Sequence, residues 1–234
     1  MAESLRPLEM IEPLALQQAL VAPGLRHLEI FTFKGLLTLL WHGPSDAEAV
    51  VLMGGGGMGG LLGPADGLYH DLGVALSDEG IGTIRVGYRR PNDLEACVLD
   101  MGAAADLAAQ SGAQRFVAVG HSFGGAVAIN AGLAMPTAVA GVVTLATQSA
   151  GCQMAAGLAG RPFLLVHGDN DEILPPQTSE TVRMLAGYGD VVILEGTGHL
   201  LKEVGVELRA RLMDWITEVL SSGAPPAPPA PPAG

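Results

Sequence analysis

The pentapeptide Gly120-His121-Ser122-Phe123-Gly124 has the form G-x-S-x-G. A serine held on a sharp turn between glycines can act as a nucleophile, provided that a base takes its proton and an acid orients the base. The pattern alone is weak: about 0.2 chance occurrences are expected at this glycine and serine content. Its surroundings strengthen it. The apolar run 116–119 (FVAV) precedes it, and Gly124-Gly125-Ala126-Val127-Ala128 follows as the small-residue start of a helix. Candidates for base and acid lie later in the chain, each just past another apolar run. His199 follows 191–194 (VVIL), and Asp169 and Asp171 follow 163–166 (FLLV). Serine, then aspartate, then histidine is the order expected when neighbouring strand ends supply a triad.

The same chemistry needs two fixed N–H donors where negative charge develops on the attacked carbonyl. The amide of Phe123, directly after the serine, is one candidate. The second must come from a nearby loop, and 54–60 (GGGGMGG), just after the run 49–53 (AVVLM), suits that role. A phosphate cradle is the rival reading of this loop, but no G-K-[S/T] follows and no basic residue lies nearby. Arg89 and Arg90, past the run 82–86 (GTIRV), are candidates to clamp a substrate carboxylate bidentately; pairing with Asp93 or Glu95 is the alternative. His27, His42 and His70 fall outside the strand-end set, and no helical i, i+4 histidine pair suggests zinc. No metal and no cofactor are expected.

Positioning these residues requires a particular set of elements. Short apolar runs at 49–53, 82–86, 116–119, 140–145, 163–166 and 191–194 alternate with helical patterns at 68–77, 94–109, 123–133, 178–186 and 203–220. Strands that are apolar on both faces and separated by helices predict a parallel sheet covered on both sides. Ahead of them, 28–33 and 36–41 flank Lys34-Gly35 as a hairpin. The fold class is α/β, with about eight strands, the first pair antiparallel and the rest parallel. Functional groups then collect at the carboxyl ends of the strands. The chain divides into an N-terminal extension (1–24), one globular domain (25–223) and a Pro/Ala-rich tail (224–234, APPAPPAPPAG), read as a solvated polyproline-II segment.

The 234 residues can build a substantial core, since about 70% of the open chain's surface can be buried at this size. With 49% hydrophobic but only 4% aromatic residues, that core must be aliphatic. A net charge of −12 with only two lysines argues against nucleic acid and anionic membranes as partners. No apolar run reaches the length of a membrane span, and the acidic, proline-containing amino terminus lacks the pattern of a secretory signal. Cys97 and Cys152 are too few and too far apart for a disulfide framework or a metal site. A cytoplasmic setting is expected.

These motifs resemble those of the alpha/beta-hydrolase superfamily, and size and glycine pattern are similar to its dienelactone-hydrolase-like serine esterases. The likeness runs from about residue 28 to about residue 220. Members often carry the acid in a pattern H-G-x-x-D-x-x-V/L-P, matched here by His167, Gly168, Asp171, Leu174 and Pro175. The resemblance therefore implies Ser122 as nucleophile, His199 as base and Asp171 rather than Asp169 as acid. It implies oxyanion donors at Phe123 and Gly55, with Gly56 next. Met53 stands where the family usually has histidine, and serine stands where dienelactone hydrolases proper use cysteine. Many members insert a helical cap after the sixth strand; the 14 residues from Gln148 to Arg161 are too few for one. The activity implied is hydrolysis of small carboxylic esters, with thioesters, lactones or acyl transfer using the same residues. A non-catalytic binding protein on the same scaffold is the alternative.

Overall fold

A computed structural model describes residues 5–222. The tail expected at 224–234 lies outside the described residues.

Nine strands form one sheet: β1 (Pro13–Ala22), β2 (Leu25–Thr32), β3 (Gly35–His42), β4 (Ala49–Gly54), β5 (Gly82–Gly87), β6 (Arg115–His121), β7 (Val139–Leu145), β8 (Phe163–Gly168) and β9 (Asp190–Leu194). Their spatial order is β1-β2-β3-β5-β4-β6-β7-β8-β9. The first three strands form an antiparallel meander joined antiparallel to β5, and all later pairings are parallel. Every parallel strand expected from the apolar runs is present. The sheet also contains β1, which the sequence reading left in an extension. All ten β1 residues are exposed, so burial left no periodicity there to read. The β2–β3 turn differs by one residue from expectation: Thr32 pairs with Gly35, so Phe33 and Lys34 form the loop.

Helices α1 (Pro7–Met10), α2 (Leu68–Asp78), α3 (Leu94–Gln110), α4 (Phe123–Ala134), α5 (Gln177–Ala186) and α6 (Gly205–Ser221) cover the sheet. One core lies between the sheet and α3, α4 and α5, built from residues such as Leu37, Trp41, Ile84, Met101, Val127 and Val182. The other packs α2 and α6 on the opposite face through Leu68, Leu72, Leu76, Leu208, Leu212 and Ile216. Each fully buried aliphatic side chain contributes about 1.5–3 kcal/mol of hydrophobic stabilisation. Both cores are largely aliphatic, as the composition requires.

α1 packs against α3 rather than over the carboxyl edge of the sheet: Leu8 N donates to Asp106 Oδ2 at 3.2 Å. Between β7 and β8 the chain makes one 3₁₀ turn, Ala155–Leu158. Among the described residues no helix is long and apolar enough to cross a membrane.

Candidate active site

β6 delivers the chain into a turn at Ser122, with φ 57° and ψ −119°, and α4 begins at the next residue. Ser122 N donates to Leu145 O at 2.8 Å, which pins the turn to the end of β7. The flanking glycines are sterically required. A Cβ on Gly120 would collide with the carbonyl of Gly124, and one on Gly124 would collide with the carbonyls of Gly54 and Gly55. This close approach seats the turn against the carboxyl end of β4. Ser122 therefore caps α4, whose first amides have no intrahelical acceptor and whose dipole favours negative charge at this point. The Phe123 amide is among them.

The glycine-rich loop after β4 reaches the same point. A Cβ on Gly56 would lie 3.7 Å from Ser122 Cβ, so Gly56 faces the serine. Gly55 is wedged between the Gly59–Gly60 backbone and Gly124. Both loop donors implied by the resemblance, Gly55 and Gly56, lie in the segment packed against the Ser122 turn. Met53 is buried in the core, and the loop is braced from elsewhere. The hydroxyl of the fully buried Tyr69 on α2 donates to Gly54 O at 2.8 Å, and Gly59 N donates to Gly56 O at 2.9 Å. Burial pushes the Tyr69 phenol well above its ordinary value, so it remains a donor. Sequence reasoning missed this brace, because a tyrosine on a helix carries no motif.

The loops after β8 and β9 bring Asp171 and His199 together. Asp171 Oδ2 lies 2.7 Å from His199 Nδ1, and both side chains are buried. Asp171 Oδ1 accepts from the amides of Ile173 and Leu174, each at 2.8 Å. Burial alone would raise the Asp171 carboxyl. The Leu174 amide, the His199 ring and the Ile173 amide outweigh it and hold the group below the usual carboxylate value. Asp169, the other candidate, is exposed. With Nδ1–H directed to Asp171, the Nε2 of His199 carries the lone pair a base requires.

Two further histidines belong to this region without having been read as site residues. His121 Nε2 donates to the carbonyl of His199 at 3.0 Å, and the two rings lie 4.9 Å apart, so the Ser122 turn and the His199 loop are joined directly. Burial pushes the His121 imidazole down to about 4. His167, at the end of β8, places Nε2 3.0 Å from Asp171 Oδ2 and Nδ1 2.7 Å from Ser179 Oγ. Its place in the H-G-x-x-D pattern was the only available signal.

The structure places both clamp candidates, Arg89 and Arg90, in ion pairs. Arg89 turns inward: its Nε lies 2.5 Å from Asp100 Oδ1 and its amide donates to Asp100 Oδ2 at 2.8 Å, with both side chains buried. Its guanidinium is thus engaged by Asp100 through Nε alone, and the side chain is buried. Arg90 pairs with Asp93 at 2.8 Å on the surface. Asp93 also caps α3, accepting from Ala96 N at 3.1 Å, so this pair stitches the start of that helix.

No protein-family model matches the chain, and neither does any curated protein. Solved structures do match. Est1E from Butyrivibrio proteoclasticus superposes with a TM-score of 0.69 at 15% identity, covering 83% of this chain and 99% of that one. Dienelactone hydrolase from Anabaena variabilis gives 0.69 at 17% identity, over 87% and 98% of the two chains. The monoacylglycerol lipase of Paleococcus ferrophilus gives 0.60 at 17%, over 78% and 99%. Strand order, helices on both faces, a strained serine turn after β6 and near-complete coverage of these structures lead to one conclusion: the chain has the alpha/beta-hydrolase fold.

Proposed function

We propose that the protein is a serine hydrolase that cleaves small carboxylic esters. The observation that carries this reading is the buried Asp171–His199 hydrogen bond of 2.7 Å, in a loop that His121 ties to the strained Ser122 turn. Ser122 Oγ attacks the ester carbonyl as His199 Nε2 takes its proton. Asp171 stabilises the imidazolium that forms and keeps its ring oriented. The amide of Phe123, at the positive end of α4, and that of Gly55, with Gly56 next to it, hold the oxyanion. Collapse breaks the ester C–O bond, and His199 returns the proton to the departing alkoxide. Water, activated by the same histidine, then releases the acid from Ser122.

The neighbouring structures include Est1E, a dienelactone hydrolase and a monoacylglycerol lipase, and Est1E is also known with ferulic acid bound. These names support ester chemistry as the class. The short β7–β8 connection supports a site without a cap there and hence modest acyl-length selectivity. The cytoplasmic setting belongs to the same proposal, supported by two free, buried cysteines.

Turnover of p-nitrophenyl acetate and butyrate tests the reading. Wild type is expected to hydrolyse both, and His199→Ala to lose about a thousandfold or more in kcat/KM. Equal rates for wild type and His199→Ala would contradict it and favour a non-catalytic binding protein.

A further inference from the structure

We propose that His167 is a positioning residue for the reaction: it grips the same oxygen of Asp171 that holds His199, so the acid is fixed by two imidazoles. This rests on the serine-hydrolase reading and adds to it.

The hydrogen-bond inventory determines where the His167 proton lies. Its Nε2 is 3.0 Å from Asp171 Oδ2 and 3.0 Å from Leu174 O. A carboxylate and a carbonyl only accept, so Nε2 must carry the hydrogen and share it between them. Nδ1 faces the Ser179 hydroxyl at 2.7 Å, a group that can donate. His167, Asp171 and Ser179 all have buried side chains, so water does not compete for these bonds. Ser179 on α5 thus sets the ring, the ring sets Asp171, and Asp171 sets His199.

This arrangement has two consequences. With only the Ile173 and Leu174 amides on Oδ1, the carboxylate could swing Oδ2 out of line with His199; a second donor on Oδ2 removes that freedom. Two N–H groups on one oxygen also lower its basicity, so the proton that arrives from Ser122 stays on His199 and remains available to the leaving group. The other charged or titratable groups near the base are Glu172, whose Oε2 lies 3.4 Å from His199 N, Glu203, which accepts from Gly198 N at 3.3 Å, and His121. Each of these contacts is to the backbone of the base loop, which leaves the gripping of Asp171 to His167.

His167→Gln retains an N–H near the Nε2 position, whereas His167→Leu removes it. On the best p-nitrophenyl ester, His167→Leu is expected to lower kcat about 10- to 100-fold with KM changed less than about twofold, and His167→Gln to recover most of the loss. Ser179→Ala, a milder change should His167→Leu fail to fold, is expected to lower kcat about two- to fivefold with KM unchanged. Long-range ¹H–¹⁵N spectra of histidine-labelled, full-length protein give a readout that needs no turnover. They are expected to show His167 protonated on Nε2, and a downfield His199 Nδ1–H signal that moves in His167→Leu but not in His167→Gln. A proton on Nδ1 alone would overturn the proposal, as would His167→Gln as slow as a folded His167→Leu, or wild-type kcat in His167→Leu. Wild type inactive on every ester would instead contradict the hydrolase reading, and the spectra would still decide the placement of the His167 proton.

Discussion

Ser122 sits at φ 57° and ψ −119°, where a side chain crowds its own backbone and glycine does not. Strain of this kind costs about 1–3 kcal/mol, set against about 0.5–1 kcal/mol for the extra unfolded-state entropy of glycine. Ser122→Gly should therefore abolish turnover while stabilising the fold by about 1 kcal/mol, as read from urea midpoints; a destabilised variant would mean that the turn is unstrained. The proposed reacting positions Ser122 and His199 were legible at this scale because each follows an apolar run, whereas the run left Asp169 and Asp171 both open and the resemblance chose between them. Their supports were not legible. His121 and His167 act through backbone and buried carboxylate contacts that single histidines do not advertise in sequence. Arg89 pairs with Asp100, 11 residues away on a helix, a partner that sequence spacing does not single out beside the nearer acids Asp93 and Glu95.

The glycine-rich loop depends on an element on the other side of the sheet. Tyr69 on α2 reaches up to Gly54 O, and this bond does for the loop what no side chain at the position of Met53 does. Tyr69→Phe should remove this buried hydrogen bond, lowering stability by about 1–2 kcal/mol and kcat several-fold with a smaller change in KM. Ester kinetics beside thermal melts check this, and unchanged kcat would show that the loop holds itself. Elements with a buried stripe were legible from sequence: the bounds of α2, α3 and α4 fall within one residue of expectation. β1 was not, because PLALQQALVA has no buried face and owes its strand conformation to pairing with β2. A ten-residue outer strand that pairs on one side only is a property of the assembled sheet, invisible to local pattern.

Two cores, one on each face of the sheet, hold the whole molecule, and two buried histidines tie its stability to pH. Burial pushes both His42 and His121 from the ordinary 6.5 down to about 4. Between these values the unfolded chain takes up protons that the folded chain refuses, so stability present above about pH 6.5 is lost progressively as pH falls toward 4. At pH 5.5 each histidine should remove about 1 kcal/mol, and Asp171, held below its usual value, adds to the loss only at lower pH still. Urea unfolding at pH 7.5 and 5.5 should show this decrease, and His121→Gln should roughly halve it; a flat profile would mean that neither imidazole resists protonation in the fold. The most direct test of the central claim is covalent. Fluorophosphonate treatment of purified full-length protein, followed by mass spectrometry of the adduct, should label Ser122 stoichiometrically, weakly in His199→Ala and not at all in Ser122→Ala. Absence of an adduct at Ser122 in folded wild-type protein would contradict an activated nucleophile and with it the hydrolase reading.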